Sequence, residues 1–166
     1  MLTWKPAAKV LLTLMVALLV RPVDSRTQTS GPEAKYKVRV TQGVMVPMRD
    51  GVKLATDLYF PEGAPAHLPV ILSRTPYNKE GARREGSAAY IFAGQGYVFA
   101  IQDVRGKFAS EGEFTVSAAD SNDGFDAMNW VVKQPWSNGK VGTFGCSYLG
   151  RIRWRWPSSG TRIILP

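Results

Sequence analysis

The sequence predicts an α/β fold: a mixed sheet that opens with an antiparallel hairpin and continues in parallel strands joined by crossover helices. Three observations predict it. Two segments of period-two alternation, 37–47 (KVRVTQGVMVP) and 52–60 (VKLATDLYF), flank the turn Arg49-Asp50-Gly51. Three short apolar runs, 69–73, 97–102 and 140–144, alternate with two stretches of helical character. The last run leads into the string 142–150, GTFGCSYLG, in which small residues surround a serine. The order strand, helix, strand, helix, strand is that of a sheet built with right-handed crossovers.

Each element has its own reason. Asp-Gly between two alternating runs is a strong hairpin signal, and no functional role is assigned to these two strands. After the linker PEGAPAHLP comes the apolar strand PVILS, and residues 84–93 read as the helix before the next strand, YVFAIQ. Residues 119–132 open with acidic, Asn and Ser residues and carry Phe125, Met128, Trp130, Val131 and Val132 toward a core, as a helix does. Ser137-Asn138-Gly139 reads as a turn ahead of KVGTF, a buried parallel strand. In a parallel sheet the carboxyl ends of the strands share one rim, where sites gather. Thr75-Pro76-Tyr77, Asp103-Val104-Arg105 and Cys146-Ser147-Tyr148 follow the three strands and are expected to line it.

The serine string suits a nucleophile elbow, a strained turn between strand and helix that needs small neighbours because two backbones approach closely. Gly145 stands two before Ser147, as that geometry asks. The generic pattern has a second glycine two after the serine, where this chain has Leu149 and then Gly150. The generic match is therefore partial, and an ordinary serine turn is the competing reading.

The segments VPMRDGVKLATDLYFPEG, PVILSRTPYNK, GYVFAIQDVRGKFASEGEF and QPWSNGKVGTFGCSYLG, in this order, resemble the amino-terminal part of the X-Pro dipeptidyl-peptidase (S15) family of α/β hydrolases. That family includes cocaine-esterase-like (CocE/NonD) and α-amino-acid ester hydrolases. The resemblance covers about residues 40–150. The family elbow reads G-x-S-Y-x-G, so Gly145, Ser147, Tyr148 and Gly150 match it and Leu149 is no departure. The resemblance implies an α/β-hydrolase fold in which Ser147 is the nucleophile and forms an acyl-enzyme on an ester or amide substrate. It gives the Tyr148 backbone N–H and the Tyr77 hydroxyl as oxyanion donors, one such donor being worth about 3–4 kcal/mol. A half-buried aromatic after a strand is the plain alternative for Tyr77. Asp103 and Arg105 also match the family, and their expected job is to tie loops together.

In this fold the acid and the base follow the serine in sequence. Residues 151–166 contain no Asp, Glu or His, and the single histidine, His67, sits in a linker where a solvated side chain is the simple reading. A serine without a base keeps its ordinary pKa and is a poor nucleophile. Loss of a triad costs another hydrolase roughly 10⁶-fold in kcat, so these 166 residues by themselves read as an inactive, truncated form of the hydrolase. The alternative is a non-catalytic secreted remnant or binding domain that keeps the fold. In the tail, Arg151, Arg153 and Arg155 alternate with Ile152, Trp154 and Trp156 until Pro157. That pattern suits a strand where a helix is expected, and the reading is that the frame is lost near Gly150 by a frameshift or gene-model error.

Charge narrows the partners. The formal net charge is +8, with net +2 in residues 1–25 and net +4 in residues 151–166, so the basicity belongs to the ends. No basic groove is implied, and the expected partner is a small-molecule or peptide acyl substrate, not nucleic acid. Lys5 and Lys9 precede the eleven-residue apolar run 10–20, too short to span a bilayer and right for a signal-peptide core, with cleavage after Ser25. The expected organisation is a leader over 1–25, a polar linker over 26–34, a partial hydrolase domain over 35–150 and a basic tail over 151–166. The product is then secreted or periplasmic, and it meets a membrane only if the leader stays uncleaved. Cys146 is the sole cysteine, so no disulfide forms within the chain; a packing role is favoured over a cysteine nucleophile because the elbow presents the next residue. Nothing in the spacing of His, Cys or carboxylates suggests a metal, and no cofactor is expected. The oligomeric state is left open.

Overall fold

The computed structural model describes residues 32–114 and 118–145; the expected leader and tail, together with Cys146, Ser147 and Tyr148, lie outside them. The expected hairpin is present as β1 (Val38–Pro47) and β2 (Lys53–Pro61), in antiparallel register from Pro47↔Lys53 to Val38↔Pro61 with a bulge between Thr41 and Val44. The turn closes through Gly51 N–H to Met48 O at 3.0 Å and Val52 N–H to Asp50 Oδ1 at 3.2 Å. There follow β3 (Leu68–Thr75), a 3-10 turn (Lys79–Arg83), α1 (Ala88–Gly94), β4 (Val98–Asp103), α2 (Ala118–Val132) and β5 (Ser137–Thr143).

Among the described residues these strands form one sheet in the order β1-β2-β4-β3-β5, with β2 antiparallel to β4 and β3 parallel to both β4 and β5. The step from β3 to β4 moves one way across the sheet and the step from β4 to β5 moves back past β3. Right-handed crossovers in opposite directions put their helices on opposite faces. The packing agrees: Ala89 and Ala93 of α1 meet Tyr59, Phe99 and Ile101, while Ala127, Met128 and Val131 of α2 meet Leu54, Leu58, Val70, Leu72 and Val141 on the other side. Covered on both faces, β4 is buried at all its positions, which is why it reads as one apolar run.

Two expectations are corrected. The helix expected over 84–93 begins only at Ala88, because Arg84 is extended, Gly86 follows in a left-handed conformation, and Ser87 stands at the N-cap of α1. Ser87 Oγ donates to Ala82 O at 2.7 Å, tying α1 to the 3-10 turn before it. The turn residues Ser137-Asn138-Gly139 lie inside β5, where Leu68↔Ser137 gives way to Val70↔Val141. One β3 residue thus opposes three of β5, a bulge made by Gly139 at φ +78° and by Asn138 Oδ1 accepting the Lys140 N–H at 3.0 Å.

Residues 32–34 of the expected linker lack regular structure but are held: Gln95 Nε2 donates to Glu33 O at 2.7 Å, and the Lys35 and Tyr36 N–H groups donate to Gly94 O. The incoming chain thereby satisfies a carbonyl left open at the end of α1. Among the described residues no helix is long and apolar enough to cross a membrane.

Candidate active site

The rim is set by register. Thr75 at the end of β3 pairs with Asp103 at the end of β4. On the other side of β3, Leu72 pairs with Thr143, and its carbonyl accepts the Phe144 N–H at 3.2 Å. The chain that leads to Ser147 therefore leaves the sheet at Phe144 and Gly145, at the same end of the sheet from which β3 runs on to Tyr77. Ser147 and Tyr148 themselves lie outside the described residues.

Tyr77 is 65% exposed, so the half-buried aromatic is not what the fold builds here. Its backbone is fixed on both sides. The Tyr77 N–H donates to Thr75 Oγ1 at 3.0 Å, and the Lys79 N–H donates to Asp103 Oδ1 at 2.8 Å. Between them Asn78 takes φ +77°, a left-handed conformation that asparagine tolerates better than most residues, and its Oδ1 accepts the Glu80 N–H at 3.0 Å. An exposed phenol on a pinned loop is a reasonable donor to something outside the sheet.

Below the loop lies a buried ionic group. Asp57 of β2 is fully buried and meets Lys79 Nζ at 3.1 Å, Arg83 at 3.1 Å and the Gly43 N–H at 2.9 Å. Asp103 is also fully buried, and its backbone carbonyl accepts Ser110 Oγ–H at 2.7 Å. Burial pushes the Asp103 carboxyl above the usual carboxylate range, against the N–H groups of Lys79 and Ala109, and among the described residues its Oδ2 has no hydrogen-bond partner.

Arg105 does what its sequence position suggests. It meets Asp123 of α2 at 2.6 Å and Asp50 of the hairpin turn at 2.8 Å, tying both to the loop after β4. Its hydrogen bonds to Asp123 and Asp50 raise the guanidinium pKa, and Arg105 in turn holds the Asp50 carboxyl below its ordinary value. Gly106 follows because nothing larger fits: a Cβ there would overlap the backbone of Glu113 and Phe114. On the α2 face, Arg74 Nε donates to Gln102 Oε1 and Gln102 Nε2 to Thr56 Oγ1, both at 3.0 Å, a buried strut across β3, β4 and β2.

His67 precedes β3 and is exposed, at the opposite end of the strand from Tyr77. Eight strand residues at about 3.3 Å each separate them by about 25 Å. It is no base for this rim. On the α1 face a groove of about 300 Å³ lies between β3, β5 and α1, lined by Ile71, Phe92, Tyr97, Gly142 and Phe144 with Lys140 at its side. Its lining is mostly apolar and holds no carboxylate, histidine, serine or cysteine.

Sequence reasoning placed Thr75, Tyr77, Asp103 and Arg105 on one rim, but it missed Asp57 and Lys79. Asp57 passes for the polar half of an alternating strand, and Lys79 for an ordinary loop lysine. Only the pairing of distant strands reveals them.

Residues 50–162 match the family described as X-Pro dipeptidyl-peptidase (S15 family), a match that runs past Gly150 into the basic tail. Over 124 residues the chain is 48% identical to the cocaine esterase of Rhodococcus sp. (strain MB1 Bresler), covering 73% of this chain and 21% of that protein. Among solved structures it is similar to an alpha-amino acid ester hydrolase, at TM-score 0.61 and 32% identity over 80% of this chain and 25% of that one. It is also similar to an aminopeptidase from a marine sediment Thaumarchaeota archaeon, at TM-score 0.58 and 32% identity over the same shares. The chain spans about a fifth to a quarter of the length of these relatives.

Proposed function

The chain belongs to the X-Pro dipeptidyl-peptidase (S15) family and carries the first strands of its α/β-hydrolase fold, and from that premise we propose a serine hydrolase that cleaves an ester or amide bond through an acyl-enzyme on Ser147. The family is one of esterase- and peptidase-type hydrolases. The Ser147 Oγ attacks the acyl carbonyl as its proton passes to a base, and the oxyanion that forms is received by the Tyr77 hydroxyl and the Tyr148 N–H. The leaving group departs with that proton, and water then releases the acyl group by the same steps in reverse order. The observation that supports this reading is the parallel register of β3 with β5, by which both strands run out at the same end of the sheet, β3 into the loop that carries Tyr77 and β5 into the segment that leads to Ser147.

The base and its acid follow the serine in this fold, and residues 148–166 hold no Asp, Glu or His. In this reading they come from outside these 166 residues, and the 166 residues alone turn over negligibly. The substrate is a small acyl ester or an X-Pro peptide, and the leader at 1–25 directs export to the periplasm or medium.

A fluorophosphonate probe tests the assignment, with imidazole added as a replacement base. The chain alone is expected to label no faster than Ser147→Ala. Molar imidazole is expected to bring slow labelling that Ser147→Ala abolishes and Tyr77→Phe lowers by about 10²-fold. Labelling that persists in Ser147→Ala, or none with imidazole, would overturn the nucleophile; rapid labelling without imidazole would overturn the need for an outside base.

A further inference from the structure

We infer that Asp103 is the positioning residue of the Tyr77 loop: by holding the Lys79 N–H and the loop after β4 together, it fixes where the Tyr77 phenol stands on the rim. The inference rests on the reading of Tyr77 as an oxyanion donor only for its functional meaning; the positioning itself stands on contacts around Asp103.

Tyr77 touches the sheet through little of its own side chain, being 65% exposed, so its place is set by its backbone. Thr75 Oγ1 holds the amide of Tyr77 from the strand side. On the far side Asn78 accepts the Glu80 and Gly81 N–H groups within its own loop, and the restraint that comes from another strand is Asp103 Oδ1 on the Lys79 N–H at 2.8 Å. Between these two ties lies Asn78 in a left-handed conformation, which an untied loop has reason to leave. The second tie is the one that spans strands, since Asp103 ends β4 while the loop belongs to β3. Asp103 also binds the next rim loop, through its carbonyl to Ser110 Oγ, and Ser110 Oγ accepts the Ala55 N–H at 2.9 Å. One residue thus indexes the loop after β3 against the loop after β4 and against β2.

The carboxylate is poorly explained as a stabilising group. It is fully buried, its Oδ2 has no partner among the described residues, and burial raises its pKa. The charges near it are Lys79 and Asp57, with Arg83 on the far side of Asp57. The cation Lys79 gives its ammonium to Asp57 and only its backbone to Asp103. A residue kept at such a cost suits a geometric task better than a stabilising one.

Fluorine NMR of the full chain grown with 3-fluorotyrosine tests this without recourse to hydrolysis. The chain has six tyrosines; Tyr77→Phe identifies the Tyr77 signal, and Tyr59→Phe identifies that of a fully buried control. In Asp103→Ala the Tyr77 signal is expected to shift toward its unfolded-chain position while the Tyr59 signal stays. In Asp103→Asn, which retains the acceptor that Lys79 uses, the Tyr77 signal is expected to stay as well. A Tyr77 signal unmoved in Asp103→Ala overturns the inference, and so does one displaced equally in both variants. Should Asp103→Ala fail to fold, amide hydrogen exchange of the wild type decides: a Lys79 N–H protected as strongly as the amides of β4 supports the inference, and one that exchanges as an open loop amide overturns it. Failure of the imidazole-dependent labelling with the NMR result intact would remove the oxyanion role and leave the positioning standing.

Discussion

Tyr59 shows how a single buried polar atom shapes local energetics. The side chain is fully buried, its ring edge-on to Tyr90 at 5.5 Å and to Phe99 at 6.4 Å, and among the described residues its hydroxyl has no hydrogen-bond partner. Burial, helped by the Asp57 carboxylate, pushes the phenol up to about 12. The folded state therefore keeps its proton after the unfolded state, at about 10, has lost it. This contribution is whole below pH 10 and is lost as pH rises from about 10 to about 12, a loss of about 2–3 kcal/mol. Urea denaturation of wild type and Tyr59→Phe at pH 8 and pH 11 checks it. At pH 8 the variant is expected to be equal or more stable by up to about 1 kcal/mol, since a buried hydroxyl without a partner is removed. Between the two pH values the wild type is expected to lose more than the variant does.

At the level of elements, Asp57 joins what the sequence keeps apart. It reaches the β1 bulge through Gly43 and the 3-10 turn through Lys79 and Arg83. Asp57→Ala leaves the Lys79 ammonium buried without its carboxylate and is expected to cost about 3–5 kcal/mol. Asp57→Ala with Lys79→Met is expected to recover much of that loss, because the stranded charge goes too. Equilibrium unfolding of the two variants measures the difference; equal losses would place the energy in the Gly43 or Arg83 contact instead. The same strand explains what was legible. The β1–β2 hairpin is readable because Asp50-Gly51 dictates a turn and alternation dictates strands. Asp57 was not, because β2 is covered by α1 on one face and α2 on the other, so a polar residue in its alternation points into an ionic group and not into water. Asn138-Gly139 misled for a related reason: left-handed backbone serves a bulge as well as a turn, and only the pairing with β3 tells them apart. The rim was legible because topology alone brings strand ends together, which is how Tyr77 and Asp103 were placed beside each other.

For the molecule as a whole, the two faces of the sheet are filled unequally. The α2 face near β5 packs Trp130, Trp136 and Val141, whereas the α1 face keeps the groove in which Phe144, 44% exposed, lies against Phe92 at 5.2 Å. An apolar groove of this size is expected to bind the dye ANS, and Phe144→Asp is expected to lower the fluorescence several-fold without loss of far-UV dichroism. Dye binding unchanged in that variant would place the apolar site elsewhere.

The position of β3 between β4 and β5 also has a meaning in time. A chain made from its amino end releases β1, β2, β3 and β4 first, and these four pair among themselves, in the order β1-β2-β4-β3. The partner on the other flank of β3 arrives some seventy residues after it, at Ser137–Thr143. Loop closure over that span is slow beside the hairpin. During synthesis, then, the Tyr77 loop and its tie to Asp103 are set before the strand bound for Ser147 leaves the ribosome. The side of the rim that carries Tyr77 is built first and waits as a template for the strand that follows it.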